Sequence, residues 1–552
     1  MVTPGLPPAL AGWREAPRVR PLNDRPPGQN GRYILCWLQQ ALRATDNPVI
    51  DAAIRLGNAA RVPVLVYHGV REDYPYASDR LHRFILGASL DLASGCRKRG
   101  LAFACHVDRE GRREKGLVHR LGADAAAIVV EDQPTFVARW QAGRVAARAS
   151  VPVYAINAAC LVPPALIGTD VRGRSGFLRR HEPERAAWVE ADEEKPDVPG
   201  YHGPLPFTPD DFRDGDLDAL VATLAIDHTL PASALHPAGR AAAEERLARL
   251  LTDVLPGYAS ARNDATRPDG ASGLSPYLHF GVIGPREIMA RVAAAQAGGQ
   301  HKRKFADELL GWREWFHYQA SQLGAPERYD RVSGWARATL ADHAGDPRPD
   351  GEPLDRMLRG ETRDETWNAC QRQFLCDGWM HNNLRMYWGK YIIAMTPSPE
   401  AAWATACYLN DRLSLDGRDP STYGNIAAMF AGSPADREQP VYGRVATRGD
   451  GSTRRREGGD AWLAAGASRS VRRRCRSRRK CRSIHISPVS RRSEPFALDI
   501  SCFAMCPLSM SPSDERTSEA GDRSRASECL GVGLCCWHRV GGTQITLGPW
   551  AA

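Results

Sequence analysis

Several side chains in the C-terminal half of this 552-residue chain are of types, and at spacings, that could do chemistry together. Glu308 and Trp312 stand four residues apart in Phe305-Ala-Asp-Glu-Leu-Leu-Gly-Trp-Arg-Glu-Trp-Phe316. That spacing puts a carboxylate and an indole on one face of a helix. Taken alone, Trp312 and Trp315 read equally well as a core aromatic pair. Upstream, Ser272-Gly-Leu-Ser-Pro-Tyr-Leu-His-Phe-Gly281 follows Tyr258 and Arg262. Small residues and hydroxyls leading into a Pro at a helix start leave backbone N–H groups free, which suits a phosphate, although the same pattern also serves as a plain cap. Downstream, Arg385 lies in Asn383-Leu-Arg-Met-Tyr-Trp-Gly-Lys390, and Asn410 and Asp416 lie in Tyr408-Leu-Asn-Asp-Arg-Leu-Ser-Leu-Asp-Gly-Arg-Asp-Pro420. By residue type these could form an interhelical salt bridge with an asparagine cap.

The elements that must position these groups are legible as two patterns. Between residues 31 and 165, short β-branched runs (Tyr33–Trp37, Val62–Tyr67, Ala127–Val130, Val151–Ile156) alternate with amphipathic segments of helical length. This predicts βαβ units and an α/β domain with a Rossmann-like parallel sheet. No G-x-G-x-x-G follows the first run, so the ordinary dinucleotide fingerprint is absent. Residues 166–235 are rich in Pro, Gly, Asp and Glu and read as an interdomain connector. From 236 to 445 apolar residues recur at three and four, which predicts an all-helical second domain.

Composition limits the function classes. Residues 445–552 contain 19 Lys+Arg against 10 Asp+Glu, a surplus equal to the +9 of the whole chain, so the rest is balanced and net charge gives no argument for nucleic-acid binding by the folded body. Seven cysteines precede Val445 without a C-x-x-C pair, as expected of reduced thiols in a cytoplasmic protein. No run approaches a membrane span, and the Pro- and Arg-rich residues 1–30 read as a disordered leader, not a secretion signal. Residues 446–552, Arg-, Ser- and Cys-rich beyond about Ala465, read as a disordered tail: a basic or regulatory extension, a merely solvated one, or out-of-frame translation.

The Ser272–Gly281 motif resembles the diphosphate-cradling loop of the photolyase/cryptochrome flavin domain. The Asn383–Lys390 and Tyr408–Pro420 stretches closely resemble those of class II pyrimidine-dimer photolyases. The likeness runs from about residue 32 to 445 and is strongest in the last hundred. It implies that the helical domain binds FAD. Tyr258, Gly273, Leu274 and Ser275 would hold the pyrophosphate, Arg385 and Asp416 would pair beside the isoalloxazine ring, and Asn410 would bond near flavin N5. A charged pair and an amide can stabilise an anionic reduced flavin without reacting. It further implies UV-damaged DNA as partner, Glu308 bonding a pyrimidine carbonyl, Trp312 stacking on a flipped lesion, Met386 lining the chamber, and Trp388 and Trp367 as proximal and middle members of an electron relay. A monomer is expected. The Arg43-x-x-Asp46-Asn47 segment resembles the family's entry to an antenna domain, which implies a folate or deazaflavin pigment.

The chain departs from the family pattern in places. Met395 stands where the distal relay tryptophan is expected, leaving Trp379, Tyr387, Tyr391 and Trp403 as substitutes. Ala428 stands where a second lesion-stacking tryptophan is expected. Gly432-Ser-Pro-Ala-Asp-Arg437 and Tyr442-Gly-Arg-Val445 replace a Gly-x-His-Asp loop and a Phe-Gly-Lys-Ile-Arg segment, and Gly378-Trp-Met-His-Asn382 resembles class I enzymes. The expected function is light-driven repair of cyclobutane pyrimidine dimers, the alternatives being a cryptochrome-like flavin light sensor without repair activity and a disabled copy.

Overall fold

The computed structural model describes residues 5–190, 193–267 and 270–469. Strands β1 (Val19–Pro21), β2 (Tyr33–Leu38), β3 (Val64–Arg71), β4 (Ala102–Asp108), β5 (Ala125–Glu131) and β6 (Val153–Ile156) form one sheet in the order β1-β6-β5-β2-β3-β4. β2 and β5 are buried along their whole length, because helices cover both faces of a parallel sheet and every residue then faces apolar packing. The covering helices are α1 (Pro48–Ala60), α2 (Asp79–Lys98), α3 (Leu117–Ala123) and α4 (Phe136–Arg148). Asn47 and Ser78 cap α1 and α2 by accepting backbone N–H bonds.

One expectation about this half needs correction. The parallel sheet is as expected, with one antiparallel addition: β1 pairs antiparallel with β6 at its edge. It belongs to the opening segment read as disordered, which is ordered from Gly5 onward, with Leu10, Trp13 and Val19 in the core. Proline is compatible with both a first helical turn and an edge strand, so a Pro-rich segment with a few apolar anchors can fold. β4 escaped the sequence reading because its Ala, Cys and His residues lack the β-branched signature.

The connector also carries structure. In it α5 (Gly173–Glu184) buries Phe177 and His181 against the second domain, where Phe177 lies 5.5 Å from Trp315 and His181 2.8 Å from Glu314. The second domain comprises α6 (Arg240–Arg249), α7 (Ser275–His279), α8 (Pro285–Ala294), α9 (Gly299–Ala306), a π-helical turn (Asp307–Arg313), α10 (Glu314–Leu323), α11 (Glu365–Asp377), α12 (Asn382–Met395), α13 (Pro399–Leu413) and α14 (Pro420–Ala431). It is helical apart from a hairpin, β7 (Pro434–Gln439) and β8 (Gly443–Val445). Nor does it end at 445: α15 (Gly459–Ser468) packs on α11 so closely that a Cβ at Gly466 would come within 2.6 Å of the Ala369 Cβ. The ordered part of the expected tail thus belongs to the helical domain, and residues 470–552 lie outside the described residues.

Arginines fasten the two halves. Arg80 of α2 is buried and donates to Phe374 O (3.1 Å), which also accepts the Gly378 N–H, and to Leu413 O (2.7 Å) and Leu375 O (2.5 Å), at the carbonyl-rich C-terminal ends of α11 and α13. Arg43 similarly donates to Gly281 O and Ala158 O, Asn47 to Ala41 O and Arg43 O, and Asp46 pairs with Arg286. The segment expected to mark an antenna domain therefore spends these three side chains on structure.

Candidate functional site

A cavity of about 520 Å³ opens in the helical domain, within the range usual for ligand pockets. Its wall contains Tyr258, Gly273, Leu274, Ser275, Glu308, Trp312, Arg385, Met386 and Asp416, brought together from five separated stretches of chain. Asn410, Trp367 and Trp388 lie behind the wall.

The floor is a buried polar knot. Both terminal nitrogens of Arg385 lie 3.2 Å from Asp416 Oδ1. Asp416 also takes bonds from the hydroxyls of Ser275 and Ser414. Burial raises its pKa, but the Arg385 charge and these two hydroxyls outweigh burial and hold it below the usual carboxylate value. Asn410, fully buried on α13, accepts from Arg385 Nη1 at 3.5 Å and donates to the Thr422 hydroxyl at 3.4 Å. It does not cap a helix. Gly273 has φ +66°, a left-handed conformation that glycine adopts without strain, and this turns the loop into α7. Tyr258 packs edge-on against Phe305, and burial pushes its phenol up to about 12.

The mouth is built differently. Glu308 and Trp312 stand on the π-helical turn Asp307–Arg313, an element that often occurs at functional sites. Glu308 is held by Arg262 at 2.6 Å and by Lys304 at 2.7 Å. Trp312 is 39% exposed, with the Arg174 guanidinium of α5 4.1 Å from its ring centre. Trp315, 7% exposed, packs against Phe177 and Tyr318. The structure thus separates the two indoles: Trp315 is a core aromatic and Trp312 is a wall of the cavity. Ala428 lines the cavity and offers only a methyl group.

Beneath the floor the Arg385 guanidinium lies 5.1 Å from the Phe374 ring, whose edge meets Trp388 at 5.5 Å. Trp388 and Trp367 are fully buried and stacked, with centroids 6.1 Å apart and planes 8° from parallel.

Sequence reasoning missed other wall residues. Asp419 caps α14 and lies 3.2 Å from His279 Nδ1 and 3.4 Å from His317 Nε2. Arg313 lies on the same face as Leu309 and Phe316, and Arg448 comes from beyond the expected domain boundary. The Asp-Pro at 419–420 was a readable helix-start signal; the approach of two histidines from other helices was not. His381 caps α12 and bonds Arg262 O at 2.9 Å, and burial lowers its pKa to about 4.

The fit of an FAD is tested by what the wall leaves unpaired. Arg385 Nε, Arg313 Nη2 and the Ser421 hydroxyl are buried and have no hydrogen-bond partner among the described residues. Five Lys and Arg side chains face three carboxylates around the cavity. Unpaired donors and a cationic excess fit a ligand that is anionic and rich in acceptors, as a flavin dinucleotide is.

Comparison with known proteins bears on the whole fold. Residues 34–196 match the DNA photolyase family. The deoxyribodipyrimidine photo-lyase of Methanothermobacter thermautotrophicus is 28% identical over 466 residues, covering 80% of this chain and 96% of that protein. That of Oryza sativa subsp. japonica is 29% identical over 460 residues, covering 79% and 88%. Among solved structures the Synechocystis sp. PCC6803 cryptochrome superposes with a TM-score of 0.59 at 15% identity, covering 78% of this chain and 87% of that one, a likeness of fold.

Proposed function

Since the chain belongs to the photolyase/cryptochrome superfamily, we propose that it is a deoxyribodipyrimidine photo-lyase that uses FAD and light to split cyclobutane pyrimidine dimers in UV-damaged DNA. The observation that carries this reading is the convergence of Glu308, Trp312 and Met386 with Arg385 and Asp416 on one cavity, with Asn410 accepting from Arg385 behind it. Among the described residues no helix is long and apolar enough to cross a membrane.

When bound, the flavin supplies the light-driven electron; the protein supplies binding and electrostatics. Gly273, Leu274 and Ser275 would hold the diphosphate end, with Tyr258 behind them. Arg385 would set a fixed positive charge beside the ring system, with its guanidinium held by Asp416. The unpaired Arg385 Nε is a donor that favours negative charge where it develops. Trp312 offers a partly exposed indole for an extruded pyrimidine dimer, worth roughly 1–3 kcal/mol per stacked base. The Glu308 carboxylate is an acceptor, so the base edge it can take as it stands is an N–H. Trp388 and Trp367 would carry electrons toward the floor. An antenna pigment, of folate or deazaflavin type, belongs to this reading as an expectation; near-ultraviolet absorption beyond the flavin's own checks it.

The test is direct. Reduced, flavin-loaded protein mixed with dimer-containing DNA under blue light should lose dimers with time, and unchanged dimer content would overturn the reading. One observation favours a second reading, a cryptochrome-like light sensor without repair: Ala428 offers the cavity a methyl group where a second lesion-stacking tryptophan is expected. If dimer-containing and undamaged DNA compete equally for the protein in the dark, the sensor is the better reading.

A further inference from the structure

The stacked pair Trp388/Trp367 leads away from the cavity and ends at a carboxylate. Asp364 Oδ1 accepts the backbone N–H of Trp367 at 2.6 Å, and its Oδ2 accepts the phenol of Tyr387 at 2.7 Å. Tyr387 is buried and lies 5.7 Å from Tyr391 in a tilted stack; Tyr391 is half-buried. Met395 is buried in the same core, and its thioether has no proton to give up. Trp462 of α15 packs partly buried on this same core, whereas the two other tryptophans the sequence offered lie elsewhere. Trp379 is in the cavity wall against His236, and Trp403 packs on Tyr329 and Phe430 with its indole bonded to Glu327 O. Among the described residues, the ring stacked on Trp367 is Trp388.

The hydrogen bonds sort these groups by what they can do with a positive hole. The Trp367 indole N–H donates to Trp388 O at 3.0 Å and that of Trp388 to Gln371 Oε1 at 2.9 Å. Amide oxygens are poor bases, so an oxidised indole here keeps its proton and stays a strong oxidant. Tyr387 has a carboxylate on its hydroxyl. Burial and that carboxylate push its pKa up, so the phenol keeps its proton until an electron leaves.

Building on the light-driven reading above, we propose that Tyr387, with Asp364 as its proton acceptor and Tyr391 as its contact with solvent, is the outer electron donor of this chain. A light-excited flavin in the cavity is the oxidant and leaves the hole on Trp367. One electron then passes from Tyr387 to the Trp367 radical cation while the phenolic proton passes to Asp364 Oδ2. The products are neutral Trp367, a neutral Tyr387 radical and a protonated Asp364 carboxyl. A soluble thiol, directly or through Tyr391, returns the electron, and Asp364 returns the proton.

The experiment is flash excitation of the full-length, oxidised flavin-loaded protein without DNA, followed by optical and electron paramagnetic resonance detection. The expected result is a tryptophan radical that gives way to a tyrosyl radical, whose resonance narrows when the protein carries ring-deuterated tyrosine and whose formation slows in D2O. Tyr387→Phe should abolish the tyrosyl signal and lengthen the tryptophan radical's life about tenfold or more. Asp364→Asn can keep the helix cap but not the base, and should slow the step and remove its isotope effect. An unchanged radical decay in Tyr387→Phe, or a wild-type tryptophan radical that decays without any tyrosyl signal or isotope effect, overturns the proposal while leaving the proposed repair function intact. Should the chain hold no flavin, the repair reading fails instead, and one-electron oxidation of the flavin-free chain by azide radical in pulse radiolysis probes the same tryptophan-to-tyrosine step with the same expected and overturning outcomes.

Discussion

At the floor of the cavity, Arg385, Asp416 and Asn410 are buried, with Arg385 donating to both of the others and hydroxyls of Ser275, Ser414 and Thr422 around them. At the mouth, Glu308 sits between Arg262 and Lys304, and Trp312 lies partly in solvent under Arg174. A buried charge that loses its partner has no water to turn to, whereas a group at the rim exchanges protein partners for water at little cost. The floor is therefore expected to be unforgiving of substitution and the mouth adaptable. This matches what each would have to do: the floor holds a resident group, and the mouth admits and releases a passing one.

The sharpest way to break this contrast is Arg385→Ala. It strands Asp416, and unfolding in urea should show a loss of about 3–5 kcal/mol, with weaker flavin retention. Replacing both partners, Arg385→Met with Asp416→Leu, should recover most of the stability but not the flavin. If the single substitution costs no more than a surface change, the floor is not the rigid half.

Acid titration probes the floor by a different route. Burial lowers His381 to about 4 and His236 to about 3, while the unfolded chain titrates near the ordinary histidine value of about 6.5. Between these limits the unfolded state binds more protons at these two groups, so their contribution leaves stability undiminished above pH 6.5 and lowers it as pH drops toward 4, against the opposite trend from the buried Asp51 and Asp411, which burial raises to about 7 and about 6. Over its full window His381 contributes on the order of 3 kcal/mol and His236 on the order of 5 kcal/mol. His381→Asn, which can still cap α12, should flatten the fall seen in urea midpoints; an unchanged slope would show that His381 titrates normally.

At the mouth the effects should appear in binding. Trp312→Ala is expected to weaken dimer-containing DNA by about 1–3 kcal/mol while leaving unfolding nearly unchanged, and Ala428→Trp to strengthen it by up to a similar amount. Competition titrations in the dark measure both. Loss of stability in Trp312→Ala would move this residue into the core class beside Trp315. The smallest effect is expected for Glu308→Gln, under about 1 kcal/mol in stability because its ion pairs are reached by solvent, with any larger change confined to repair yield.

Much of the fold was legible because burial writes itself into sequence where whole elements are apolar. β2, β5 and the helical repeats around Trp367 and Trp388 are examples. β4 and β1 were not legible, since Ala102-Phe-Ala-Cys-His-Val-Asp108 and Val19-Arg-Pro21 become strands through pairing with neighbours already in place. The end of the helical domain was misplaced for a related reason: Gly466 matters only because Ala369 lies against it.

For the site, the residue types and the local frames were in the sequence. The i, i+4 offset of Glu308 and Trp312, the Ser-Pro entry to α7 and the Asp-Pro entry to α14 are short-range facts that backbone geometry enforces. Which face of each frame meets the cavity was decided only by tertiary packing. That packing buried Trp315 and left Trp312 open, set Arg262 and Lys304 on Glu308, brought Arg448 to the wall, and joined Tyr387 to Trp367 through Asp364. Side-chain partners far apart along the chain are chosen by how whole helices dock, and no local spacing carries that choice.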